Sequence, residues 1–149
     1  MFKGLLFALL TVNTAYYTLT GATSKAIDAA AWLTLLALFL AETRLRSRPG
    51  SASLDLVVRA GRLAAAAGVV VAMLRYLIEG NALDSTNSVL WIGVVVLLEA
   101  EFRYPQLAAR SRTALAVVAV ALYGGLAVLV IIWALSGAWL DAYDALLWL

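Results

Sequence analysis

The sequence contains no cysteine and no histidine. Without cysteine there is no disulfide framework, no thiolate metal site and no iron–sulfur ligation. Without histidine the usual haem ligand, the commonest metal ligand and the usual general base are missing. Charge is also scarce, at 13% of residues, against about a quarter in an average soluble domain. No Ser/His/Asp set, phosphate-binding glycine loop or metal-ligand spacing is present. The chain is therefore expected to carry out no catalysis and to hold no identifiable cofactor or metal. A bound lipid, quinone or pigment remains compatible with it, because such sites need few polar residues.

What the sequence has in abundance is apolar surface. Of its 149 residues 64% are hydrophobic, and the mean hydropathy is +0.94. A domain this small has too little interior to hide that much apolar area from water, so the expected environment is a lipid bilayer. The net charge of +2 is small and spread over several loops, which argues against a nucleic-acid surface.

Read in order, the chain opens with MFKGLLFALL, the basic-then-apolar order of a secretory signal. The same segment aligns with residues 62–80, which are internal, so a retained first helix over about residues 4–20 is expected. Residues 21–25 read as a turn and about 26–43 as a second helix. The loop TRLRSRPGSAS follows, with Arg44, Arg46 and Arg48 ahead of a turn at Pro49-Gly50. Ser53 is a candidate N-cap for a third helix that ends near Gly80. Residues 81–87 read as a polar loop and about 88–102 as a fourth helix, ended by Tyr104-Pro105. Residues 113–135 run for 23 positions without a charge, the clearest membrane span. In the closing SGAWLDAYDALLWL, Trp139, Leu140, Tyr143, Leu147 and Trp148 can share one side of a helix, a pattern suited to lying in the interface.

Loop charge sets an orientation. With the N-terminus inside, Lys3, Arg44, Arg46, Arg48, Arg59, Arg62, Arg103, Arg110 and Arg112 fall on the inner face, and only Lys25 and Arg75 lie outside. Nine of 11 basic residues on one side is a positive-inside pattern. Five spans then put the C-terminus outside. The tryptophans Trp32, Trp91, Trp133, Trp139 and Trp148, with Tyr16, Tyr17 and Tyr76, gather at the outer boundary. Trp32, Trp91, Trp139 and Trp148 are the expected interfacial anchors.

A repeat underlies this order. Residues 28–44, DAAAWLTLLALFLAETR, shifted by 59 positions land on residues 87–103, NSVLWIGVVVLLEAEFR. Trp32 falls on Trp91, Glu42 on Glu101 and Arg44 on Arg103. The same shift carries Tyr17 onto Tyr76 and Gly21 onto Gly80, and nine of 45 positions are identical. The expected organisation is a two-helix unit over 1–46, a second over 53–105, and a fifth span plus interfacial segment over 106–149. The two units would share one orientation, related by an axis along the membrane normal.

The candidate site residues are few. Arg75 is expected to pair with Glu79 four residues on and to reach the boundary. The sharper alternative makes it, with Tyr17 and Asn13, a contact for an anion or lipid headgroup. Glu99 with Arg103, Glu42 with Arg46 and Glu101 with Arg103 are further boundary pairs. Asn13 and the nearby threonines fit interhelical hydrogen bonding. The fold class expected is an all-α membrane bundle of about five spans, in a bacterial inner membrane with N-terminus cytoplasmic and C-terminus periplasmic. The function expected is an accessory or structural subunit whose partners are the bilayer and other membrane subunits or further copies of itself. The alternative is an oligomeric channel or small-solute transporter.

Overall fold

The computed structural model describes residues 2–45 and 52–149. The turn expected at Pro49-Gly50 lies outside them. Among the described residues there is no strand, and the elements are α1 (Phe2–Leu19), α2 (Thr23–Leu45), α3 (Ala52–Ile78), α4 (Ala82–Arg103), α5 (Pro105–Arg110), α6 (Arg112–Leu135) and α7 (Trp139–Trp148). Four stretches are long and apolar enough to cross a membrane: Thr23–Ala41, Leu56–Ile78, Ala82–Glu101 and Arg112–Leu135. Among the residues whose side chains are described, α1 adds a shorter apolar stretch, Leu5–Leu19.

The chain forms two compact units, Met1–Gly80 and Asn81–Leu149. In the first, α2 packs against both α1 and α3. The α2–α3 contact is close because of Gly68, where an added Cβ would lie 3.2 Å from the Cβ of Ala31. In the second, α6 packs against both α4 and α7. Its core is Leu129, Trp133, Ala142 and Ala145, with Leu83 and Leu90 of α4 packed on it. An added Cβ at Gly125 would meet Leu90 Cδ1 at 3.1 Å. Small residues thus set how near the helices approach, as expected where backbone contact replaces interlocking side chains.

The expected polar loop at 81–87 is helix instead. Asn81 caps α4, its side chain accepting from the Asp84 backbone N–H at 3.3 Å while its Nδ2 donates to Asp84 Oδ2. The hydroxyls of Ser85 and Thr86 donate to the Ala82 carbonyl, and that of Ser88 to the Asp84 carbonyl. Polar side chains that read as loop are satisfied by the helix's own first turns. At the other end Tyr104 closes α4 and Pro105 opens the short α5, where a residue without an N–H leaves no donor unmet.

Among the described residues three have positive φ, all glycine: Gly21 at +75°, Gly80 at +72° and Gly137 at +81°. Each follows a helix and precedes the next, after α1, α3 and α6 respectively, in the left-handed conformation that lets a chain leave a helix at once.

Close α2–α3 packing carries a prediction. Gly68→Val would insert atoms where Ala31 Cβ is fixed to its backbone and cannot turn aside. Unfolding followed by circular dichroism in mixed micelles should show a loss of about 1–3 kcal/mol. Gly124→Ala, which meets nothing within 4 Å, should leave stability unchanged or slightly raised. Equal stability of the two variants would contradict the packing described.

Candidate functional site

The polar residues of the first unit collect where α1 and α3 end and α2 begins. Gly21 turns the chain there, so that Ser24, one residue into α2, comes against the last turn of α3. Ser24 is buried. Its Oγ donates to Glu79 Oε1 at 2.6 Å and accepts from Arg75 Nε at 3.0 Å. Arg75 Nη2 lies 3.4 Å from the same Glu79 oxygen. Arginine, glutamate and serine therefore close a three-membered ring joining two helices. Arg75 also stands in the last turn of α3, where a cation offsets the negative end of the helix dipole.

The i,i+4 pairing of Arg75 with Glu79 is as the sequence suggested. Ser24 is the member that sequence reading missed, because its partners lie 51 and 55 positions away. The one available signal was a serine in the first turn of a span beside a left-handed glycine, which marks nearness to a helix end but names no partner.

Asn13 and Tyr17, a turn apart on α1, are both buried. Lys25 Nζ sits 5.8 Å from the centre of the Tyr17 ring, a cation–π approach, and Tyr16 meets Tyr17 edge-on at 6.4 Å. This end of the unit thus presents two cations, Lys25 and Arg75, over aromatic and apolar packing. The guanidinium is partly engaged by Ser24 and Glu79, and the Arg75 side chain keeps 42% of its surface exposed. Chemically the arrangement can hold helices in register and offer positive charge to an anion.

The second pair lies in the other unit. Arg103 Nε donates to Glu99 Oε1 at 2.5 Å near the C-terminal end of α4. That hydrogen bond, with the attraction of the carboxylate, holds Arg103 above the ordinary guanidinium range. The order glutamate then arginine at i,i+4 is the favourable one on a helix. Arg103 thus has Glu99 as a partner; Arg46 lies outside the described residues.

The tryptophans divide. Trp91 and Trp148 meet edge to face, with ring centres 6.4 Å apart and planes at 66°. Trp32 is half-buried and Trp133 buried, while Trp139 stands 70% exposed. Among the described residues no cluster of three metal-ligating side chains occurs. No protein-family model, curated protein or solved structure matches the chain.

Replacing Ser24 tests the ring. Ser24→Ala removes one acceptor for Arg75 and one donor for Glu79 while leaving their ion pair, and should cost about 0.5–1.5 kcal/mol. Arg75→Ala should cost at least as much. A double-mutant cycle on Ser24 and Arg75, read by unfolding in mixed micelles, should show coupling. Additive losses would mean the three side chains do not act together.

Proposed function

We propose that the chain is a multi-pass membrane protein of a bacterial inner membrane and serves as an accessory or structural subunit of a larger membrane complex, without catalysis of its own. The supporting surface is apolar and outward. Leu63, Val70, Leu74 and Ile78 of α3 and Val117, Val120, Val128 and Leu135 of α6 are all exposed, an outer face that water would not tolerate and lipid would.

One observation carries the subunit reading: the exposed side of α1. It carries a stripe of Ala8, Thr11, Ala15 and Thr18 beside the larger exposed Leu5, Val12, Tyr16 and Leu19. The Thr11 and Thr18 hydroxyls donate to the Phe7 and Thr14 carbonyls, so no polar group need be left unmet when a neighbouring helix covers this side. A stripe of small residues lets a neighbouring helix approach closely, and the large apolar side chains beside it add packing area.

Orientation follows the loop charges, with the N-terminus cytoplasmic and the turns at Gly21, Gly80 and Gly137 on the periplasmic side. The 59-residue repeat belongs to the same reading. α1 ends at Leu19 and α3 at Ile78, α2 begins at Thr23 and α4 at Ala82, each pair at that spacing. Gly21 and Gly80 turn with nearly the same φ.

Two measurements test this. Native electrophoresis of mild-detergent extracts, with mass spectrometry of what migrates alongside, should recover the protein in fixed ratio with other membrane subunits. Recovery alone would remove the accessory role and turn attention to solute flux. The chain lacks cysteine, so single-cysteine labelling reads orientation directly. Thr20→Cys should react with an impermeant maleimide in intact spheroplasts, and Ala109→Cys only after permeabilisation. The reverse result would invert the topology.

A further inference from the structure

The third left-handed glycine extends the repeat beyond two copies. Gly21, Gly80 and Gly137 are 59 and 57 residues apart, and the residues around them agree position by position. Four residues before each glycine stands an aromatic ring: Tyr17, Tyr76 and Trp133. Eight before stand Asn13, Ala72 and Leu129, and eleven before stand Leu10, Val69 and Leu126. All nine side chains are buried. Seven residues after each glycine come Asp28, Asn87 and Asp144, and eleven after come Trp32, Trp91 and Trp148, all six half-buried.

The backbone repeats as well. The residue before each glycine donates to the carbonyl four back: Thr20 to Tyr16 at 3.0 Å, Glu79 to Arg75 at 2.8 Å and Ser136 to Ile132 at 2.9 Å. The following helix closes in the same register. Ala26 donates to Ala22 at 2.9 Å, Ser85 to Asn81 at 3.1 Å and Ala142 to Ala138 at 3.1 Å. Any glycine-turned helix pair would share these bonds. It would not share an aromatic at one fixed distance, a carboxylate or carboxamide at another and a tryptophan at a third.

Packing between helices keeps the register too. The residue ten after the first glycine, Ala31, faces Gly68, which stands twelve before the second. The residue ten after the second, Leu90, faces Gly125, twelve before the third. α3 thus meets α2 as α6 meets α4.

We propose that the chain is built from three copies of one helix–glycine–helix segment, and that α7 is the second helix of the third copy, turning back into the bilayer beside α6 as α2 turns back beside α1 and carrying the third instance of an acid-or-amide, then tryptophan, pair. α7 (Trp139–Trp148) corresponds residue for residue to the first ten residues of α2 and α4. Its burial fits: Ala142 and Ala145 join Trp133 and Leu129, four and eight residues before the turn on α6, in one core, so α7 doubles back along α6 at least as far as Ala145. A segment lying flat at the interface would leave α6 after the first of these contacts. Trp148 meets Trp91, the tryptophan at the equivalent place in the second copy, which sets the two at one depth. The chain then presents three equivalent polar–tryptophan sites, at Asp28–Trp32, Asn87–Trp91 and Asp144–Trp148.

This inference rests on the membrane placement proposed above, and the test separates the two. Single-cysteine variants are made at the second and ninth positions after each glycine: Thr23→Cys and Ala30→Cys, Ala82→Cys and Val89→Cys, Trp139→Cys and Leu146→Cys. All six sites are exposed, so folding should survive. Nitroxide labels in phospholipid vesicles then report depth through collision with oxygen against a water-soluble nickel complex. Seven residues of helix rise about 10 Å, so each ninth-position label should lie deeper than its second-position partner by a similar amount in all three copies. Equal depths at Trp139 and Leu146, with a gradient on α2 and α4, would overturn the third copy. No gradient on any helix would overturn the membrane placement and this inference with it.

Discussion

A peptide group removed from water must find its hydrogen bond within the protein. Helices meet that demand segment by segment, and the described residues of this chain are helical almost throughout. What remains is the ends, where each helix leaves carbonyls and N–H groups without intrahelical partners. The turns solve this compactly. A left-handed glycine lets the last carbonyls of α1 and α6 accept from just beyond the turn, Tyr17 from the Ala22 N–H and Trp133 from the Ala138 N–H, so the connection needs almost no loop. A buried aromatic one helical turn before each glycine fills the space the turn encloses.

The same demand governs the polar side chains. Thr11, Thr14, Thr18, Thr34, Thr86 and Ser88 each return a hydroxyl to a carbonyl four residues back on their own helix, which satisfies them without any partner helix. Ser24 reaches across, to the ion pair of Arg75 and Glu79. The half-exposed position of that pair limits what the charges alone contribute. The ring matters more as a geometric clasp, since three side chains from two helices share two hydrogen bonds and one ion pair.

Much was legible in the sequence because it is periodic and local. The helices, the short connection at Gly21, the Arg75–Glu79 and Glu99–Arg103 pairs and the near-equivalence of Tyr17 with Tyr76 all follow from spacing. One feature was misread. The 81–87 stretch looks like a loop because its residues are polar, yet Asn81, Asp84, Ser85 and Thr86 are also the residues that cap and line a helix start. The proposed copy around Gly137 is hard to read from identity, because tryptophan stands there for tyrosine and leucine for asparagine or alanine. Its kinship lies in burial and turn geometry rather than identity.

The long charge-free runs by themselves indicated helices rich in outward apolar surface, because a helix satisfies its backbone within its own segment wherever water is absent. Charge distribution alone suggested an orientation. The tertiary structure decided what no linear spacing encodes: that Ser24 closes on Arg75 and Glu79, that Trp91 meets Trp148, and that α7 returns along α6. Those contacts join residues tens of positions apart, and their existence depends on how closely glycine and alanine let neighbouring helices approach.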